Sequence, residues 1–494
     1  MMATIIMTNG CGGGSTDSDS SASASASTAT NNSGSGASSS SSNSSSSPSN
    51  SSSNSSASSS SSSVSTSASS SASNASSSTT TAGNIYYVAT TGSDSAAGTQ
   101  TAPWATLNHA NAVVTAGDTV YIHGGTYAIT AGVNTCASET DTVNAITLST
   151  SGTATGTISY LAYPGESPVF DFSGMTDDCR IKGFNVTASY IRLKGLEILG
   201  VLQGNYLNNE SWGVWVNGSN NTFELLNIHN IQGPGFFLKD GGYNLVLNTD
   251  SHHNYDPKSK SGAGQNADGF GAHVSANKPG NVFSGCRSWW NTDDGFDLIK
   301  SYSSVTIKNS WSWLNGYYPG TTTAISAGNG NGFKAGGYSG VYASDAVPHT
   351  VENSVAFKNK VAGFYSNHHP VPVYYYNNTS FANGVDFNLL SIDSSGAAIY
   401  LGVLRNNIAY TGTLLATSSD VDAAYNSWNL STTVSDADFQ SVSTTGWDAA
   451  RQSDGSLPVL TALHLASGST LIDKGIDVGL SYKGSAPDLG AFEY

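Results

Sequence analysis

The sequence predicts an all-β fold: a parallel β-helix preceded by a Ser-rich linker. Three observations carry this. An apolar run ending in Asn recurs at a fixed spacing, a Gly-Phe pair follows each such Asn, and the chain beyond residue 83 is rich in Gly, Asn, Ser, Thr and aromatics but poor in charge. That composition suits short strands joined by many turns better than helices.

The 494-residue chain opens with a short, mildly apolar segment, residues 1–11, which ends at Cys11 and holds no Lys or Arg. It resembles the tail of a bacterial lipoprotein signal whose basic part is missing, so the expectation is a truncated signal with a lipidated Cys11. The alternative is an accidental cysteine in a disordered tail. Residues 12–83 are almost wholly Ser, Ala, Thr, Asn and Gly. Too few apolar side chains are present to offset the entropy of ordering, which predicts a disordered linker. Residues 84–494 can bury one long core, and a monomer is expected. No apolar run is long enough to span a bilayer. The expected location is outside a bacterial cell, as a secreted or outer-surface lipoprotein.

The formal net charge is -16, from 18 Lys+Arg against 34 Asp+Glu. Nucleic acid and anionic membranes are poor partners for such a chain, since both require phosphate neutralisation. An anionic substrate would need a divalent cation to attract it. The four cysteines are Cys11, Cys136, Cys179 and Cys286, and no CxxC occurs, which argues against a structural zinc site. Cys286 lies in a strand-like run and reads as a buried thiol. Cys136 and Cys179 can pair outside the cytoplasm, but spacing does not fix their geometry.

The repeat is clearest through Asn230, Asn254, Asn291, Asn315, Asn359 and Asn383, which are separated by 24, 37, 24, 44 and 24 residues. The basic coil is then 24 residues, and two coils carry insertions of 13 and 20. Alternation within each unit is strand-like. Stacked coils bury their inward side chains against one another, and a column of Asn can hydrogen-bond along the stack. A β-sandwich does not explain a fixed period.

Gly-Phe occurs at Gly235-Phe236, Gly269-Phe270, Gly295-Phe296, Gly332-Phe333 and Gly363-Phe364. The expected reading is a Gly at the turn and a Phe stacked inward. The next residue then points outward, giving Phe237, Gly271, Asp297, Lys334 and Tyr365 in successive coils. Both insertions, 255–267 and 316–330, fall between a coil's Asn and its Gly-Phe. Loops on one flank of a rigid solenoid build a groove, and the chemistry should lie between them.

Four carboxylates converge there. Asp268 is on one coil, and Asp293, Asp294 and Asp297 are on the next. Neighbouring coils are about 4.8 Å apart. Like charges this close are unfavourable without a cation among them, and hard oxygen donors in a loop-built site suit calcium. The bland alternative is that each Asp forms a turn in a Gly-rich solenoid. Lys334 falls one coil beyond Asp297 in register. It is either a ladder ion pair with Asp297 or a base beside a metal whose charge lowers its pKa. A metal and a lysine base together suggest β-elimination in a 4-linked uronide: the metal engages the C6 carboxylate, Lys334 takes the C5 proton and O4 leaves.

Asn254-Tyr-Asp-Pro, Ala267-Asp-Gly-Phe-Gly, Asn291-Thr-Asp-Asp-Gly-Phe-Asp-Leu, Lys308-Asn-Ser-Trp and Gly328-Asn-Gly-Asn-Gly-Phe-Lys together resemble polysaccharide lyase family 9, a pectate lyase-like family. The resemblance covers most of residues 85–494. It implies a right-handed parallel β-helix, calcium held by Asp268, Asp293, Asp294 and Asp297, Lys334 as the base, and an acidic plant cell-wall polysaccharide as partner. The chain departs from the pectate-cleaving pattern at Lys239 and Lys300, which are candidate substrate contacts or solvated surface charge. The family includes lyases of rhamnogalacturonan I, whose alternating uronates such lysines could meet.

Paired histidines, His252 with His253 and His368 with His369, lack a third ligand spaced for zinc. The enzymatic rival is a β-helix polygalacturonase, which would use its Asp residues as acid and base with a water and would not need Lys334. The rival from another class is a non-catalytic glycan-binding solenoid.

Overall fold

The computed structural model describes residues 83–494, except 131–135, 137, 139, 205–209, 261, 416–417, 419 and 432. The signal-type segment ending at Cys11 and the linker up to residue 82 lie outside the described residues. The described chain winds as a right-handed parallel β-helix with three long parallel sheets, of twelve, ten and ten strands. Each complete coil contributes one strand to each sheet, and the first sheet holds further strands at its ends. In one coil these are Asn281–Ser284 in the first sheet, Arg287–Trp289 in the second and Phe296–Asp297 in the third, the site sheet.

The corner between the first and second sheets is a single residue in the left-handed region: Leu225, Asn248, Gly285, Asn309, Asn353, Asn377 and Asn406 in successive coils. Asn and Gly reach this conformation most cheaply, which explains their recurrence. A second left-handed corner follows the second sheet, at Asn230, His253, Trp290, Leu314, Lys358 and Ala382.

That second corner corrects the repeat. Asn230 occupies the left-handed corner, one place before the ladder position, which Ile231 fills: Ile231 N donates to Asn254 Oδ1 at 3.0 Å. The coil from Asn227 to Asp250 is therefore 23 residues, not 24. The Asn ladder itself runs from Asn254 through Asn291, Asn315 and Asn359 to Asn383. Each amide donates to the next Oδ1 at 2.8–3.0 Å. The larger insertion is also divided. Twenty residues separate Trp313 from Phe333, where seven separate Trp289 from Phe296. The rest lies past Lys334, before the strand Thr350–Glu352.

The predicted Phe column is present. Ring centroids are 4.8 Å apart for Phe270–Phe296, 4.9 Å for Phe296–Phe333, 5.0 Å for Phe333–Phe364 and 4.8 Å for Phe364–Phe387. Each ring is fully buried, and each burial contributes about 1.5–3 kcal/mol. The preceding Gly has a different reason from the one expected. Gly269 and Gly295 do not have positive φ. A Cβ on Gly269 would press on Ser288 Oγ and lie 2.8 Å from Asn291 Nδ2. The glycine admits the Ser and Asn columns, not a turn.

One helix, Leu107–Val113, is capped by Thr106, whose side chain accepts from His109 N, and its Leu107 and Ala110 join the core of the first coils. At the other end, the segment after residue 427 packs on the outer face of the second sheet, with Trp447 between Trp311 and Phe357. Cys136 and Cys179 are disulfide-bonded, with Cα atoms 5.3 Å apart, and Cys286 is a buried free thiol. Burial pushes that thiol up to about 12. Among the described residues no helix is long and apolar enough to cross a membrane.

Candidate active site

The outward residues of the site sheet pair in register as Phe237 with Gly271, Gly271 with Asp297, Asp297 with Lys334, and Lys334 with Tyr365. This is the file expected from the Gly-Phe spacing. The insertion loops roof one flank. Gly264 leaves room for the buried Ile325, Gly262 for Ala327, and Tyr255 meets Tyr318 edge-on at 5.6 Å. Asp256 holds the first loop through Ser259 and Asn266, and burial raises its carboxyl to about 6.

Asp268, Asp294 and Asp297 each bring a carboxylate oxygen into one group spanning no more than 4.8 Å, and all three are buried. Asp293 stands beside them, its Oδ1 accepting from Asn329 N at 2.7 Å. Asp268 Oδ1 accepts from Asp294 N at 3.1 Å, and Asp294 Oδ1 accepts from both Asn331 N and Asn331 Nδ2 at 2.8 Å. Asp297 Oδ1 accepts from Ile299 N at 2.8 Å. One oxygen of each of these four is therefore fixed by a backbone donor. Asp294 Oδ2 is buried without a hydrogen bond. Its near neighbour is Lys334 Nζ at 3.1 Å, and Nζ also donates to Asp297 Oδ2 at 3.0 Å.

Burial, and after it the other carboxylates, hold Asp268 and Asp293 well above the usual carboxylate range. Burial also raises Asp294, although Lys334 pulls it down. Burial pulls Lys334 down, but Asp297, Asp294, Asp293 and Asp268 together outweigh it and hold the ammonium well above the usual lysine range. Four buried carboxylates against one lysine leave an excess of negative charge. That imbalance, in a group of carboxylate oxygens no more than 4.8 Å across, fits a hard divalent cation.

The chain matches the model described as "Pel9A-like, right handed beta helix region" over residues 86–407. Pectate lyase L of Dickeya dadantii (strain 3937) is 39% identical over 416 residues, covering 83% of this chain and 90% of that protein. The solved structure of pectate lyase Pel9A is 36% identical, covers 84% of this chain and 97% of that one, and superposes with a TM-score of 0.70. A solved rhamnogalacturonan lyase is also 36% identical, covers 78% and 97%, and superposes at 0.72. This chain belongs to the Pel9A-like β-helix family. It is a polysaccharide lyase.

In this family member the remaining candidates fall elsewhere. Lys239 and Lys300 lie in the turns that leave the site sheet after Leu238 and Asp297. His252 and His253 face one another, Nδ1 to Nδ1, at 2.6 Å, and His252 stacks on Trp289 at 4.0 Å, in an aromatic column on the second sheet. Burial pushes His253 down to about 4. His369 Nδ1 accepts from Gly337 N at 3.0 Å and its Nε2 donates to Val347 O at 2.8 Å. Sequence reasoning missed Lys360. Its Nζ donates to Ile325 O and Gly328 O, both at 2.6 Å. It thereby ties down the loop whose Asn329 and Asn331 N–H groups hold Asp293 and Asp294. No motif marks it, because its partners are backbone carbonyls more than thirty positions away.

Proposed function

We propose that the chain is a calcium-dependent lyase that cleaves 4-linked galacturonan by β-elimination, with Lys334 as the base. The observation that carries this is Lys334 Nζ set between Asp297 Oδ2 and Asp294 Oδ2 on the outward file. Asp268, Asp294 and Asp297 would hold the ion, with Asp293 completing the acidic set. Calcium, when bound, supplies the positive charge that answers these carboxylates, withdraws charge from the uronate carboxyl and disfavours the ammonium form of Lys334.

The chain's own residues do the rest. Asn331 and the Ile299 N–H fix the orientation of Asp294 and Asp297. Neutral Lys334 takes the C5 proton, its electron pair forms the C4=C5 double bond, and the C4–O4 bond breaks. The departing oxygen takes a proton from water. The roof in which Tyr255 meets Tyr318 and Gly264 meets Ile325 would restrict solvent at that point. Tyr365, next in the file, extends the floor.

Rhamnogalacturonan I is the second substrate reading. It is favoured by the likeness to a rhamnogalacturonan lyase and by Lys239 and Lys300, which could meet alternating uronates. The disulfide between Cys136 and Cys179 supports action in an oxidising, extracytoplasmic setting. The further proposal is a secreted or surface-tethered enzyme.

Purified protein is offered polygalacturonate and rhamnogalacturonan I, each with calcium or with chelator. An unsaturated uronide absorbing in the near ultraviolet is expected, dependent on calcium. Lys334→Ala should lower the rate by about 10²–10⁴-fold. Reducing ends without that absorbance would mean a hydrolase, and neither signal would mean a binding solenoid. Full activity in Lys334→Ala would remove the base, and full activity in chelator would remove the metal.

A further inference from the structure

The outward file continues past Gly271 toward the N-terminal coils as Phe237, Trp215 and Asn185. Beside it, Lys182 pairs in register with Trp212. Lys182 Nζ lies 4.0 Å from the centroid of the Trp215 ring and 5.9 Å from that of Trp212. The Arg180 guanidinium is 4.3 Å from the Trp212 centroid and is ion-paired with Glu210.

Lys182 has no such counterpart among the described residues. Among the described residues no carboxylate lies within ion-pairing distance of its Nζ. Burial, and after it the positive charges of Arg180 and Lys239, push it down to about 8. A half-buried cation beside two others is unfavourable unless something answers it. The indole faces answer it only in part. In a chain of net charge -16, a cation with no carboxylate beside it among the described residues is the unusual feature. The lysine stem and the partly exposed Trp215 ring, backed by the buried Trp212, also form an apolar surface of the kind that packs against a sugar ring.

We propose that Lys182, seated on Trp212 and Trp215, is a remote subsite for a uronate carboxylate on the polymer being cleaved. This rests on the lyase reading above. The strand of Lys182 is four steps from that of Asp297, or about 19 Å. A polymer lying along the file would pass over Phe237 and Gly271 on its way to Lys334. The subsite would grip the chain several sugars away from the bond that breaks and would select for an unesterified uronate there.

The test uses the full chain with Lys182→Met, which keeps the stem over the rings and removes the charge, and Lys182→Arg, which restores it. Thermal melts establish that both variants fold. With polygalacturonate and calcium, the loss in Lys182→Met should fall on KM, about tenfold. It should shrink as galacturonate oligomers of defined length become shorter, and Lys182→Arg should recover most of it. In chelator, where no ion engages a carboxylate at the acidic cluster, methyl esterification of the polymer should weaken binding to the parent and add little to the loss in Lys182→Met. The subsite is overturned if Lys182→Met matches the parent, if its loss is independent of oligomer length, or if esterification penalises both proteins equally. Binding of polygalacturonate in chelator, followed by titration calorimetry, separates this inference from the lyase reading. If no unsaturated product forms, the lyase reading fails, and the titration still decides whether Lys182 recruits the polymer.

Discussion

Neighbouring coils carry two buried charge clusters, one on each of two sheets, and the clusters are built on opposite rules. On the second sheet, Asp250 receives Arg287 Nε at 2.9 Å and Nη2 at 2.6 Å, and Arg451 from the C-terminal segment completes the cluster. Arg287 Nη1 donates to Trp447 O at 3.0 Å and Ala449 O at 2.7 Å. Every charge there has an opposite partner. On the site sheet, four carboxylates share one lysine. The first arrangement fastens a covering segment to the solenoid. The second holds unfavourable charge in place, which a fold retains where a ligand will answer it.

Substitutions should separate the two. Removal of Lys334 has the largest expected effect, and that effect falls on turnover. Arg287→Met should instead cost about 3 kcal/mol of stability, read from denaturant midpoints, while folded molecules keep the parent's rate. Loss of turnover per folded molecule would mean that the second sheet also serves the site.

Lys360→Met tests whether the loop it tethers positions the carboxylates. It should weaken calcium affinity about 10–100-fold, measured by calorimetry, with a melt in chelator close to the parent's. A large fall in that melt with unchanged affinity would make Lys360 structural only.

Asp294→Asn keeps an acceptor for Asn331 but removes one repelling charge. In chelator it should stabilise the protein by about 1 kcal/mol, and most of the calcium-induced rise in Tm should vanish. A destabilised variant would break the comparison.

The smallest effect is in pH. Asp268, Asp293 and Asp294 have folded pKa values above their ordinary 3.8. Their contribution to stability is therefore full below that value and is lost as pH rises through the folded values. Lys334 is also raised, so its contribution is present below 10.5 and is lost above its folded value. In chelator, acidification from neutral pH should strengthen this part of the fold, and the gain in Tm on adding calcium should shrink over the same range. A calcium gain that grows on acidification would contradict it.

Much of this was legible in the sequence because the solenoid repeats. One Gly-Phe per coil was enough to put Asp297 and Lys334 in register and to send the Phe rings inward. Asn230 misled because the left-handed corner favours the same residue type as the ladder, and only hydrogen bonding tells the two positions apart. Gly269 and Gly295 were seen, but their reason was not, since the Ser and Asn columns they admit come from another sheet. Lys360 and Lys182 escaped altogether. One meets backbone carbonyls and the other meets ring faces, and neither leaves a motif. The pairing of Cys136 with Cys179 needed geometry that spacing does not supply.

The outward file has a consequence for anyone who would redesign it. Its positions are divisions on a ruler, because each step from Phe237 through Gly271, Asp297 and Lys334 to Tyr365 is one strand spacing, about 4.8 Å. Exchanging Lys334 with Tyr365 would translate the amine by one division along the polymer without altering the backbone that carries it. Distance along the glycan thus becomes a number of coils.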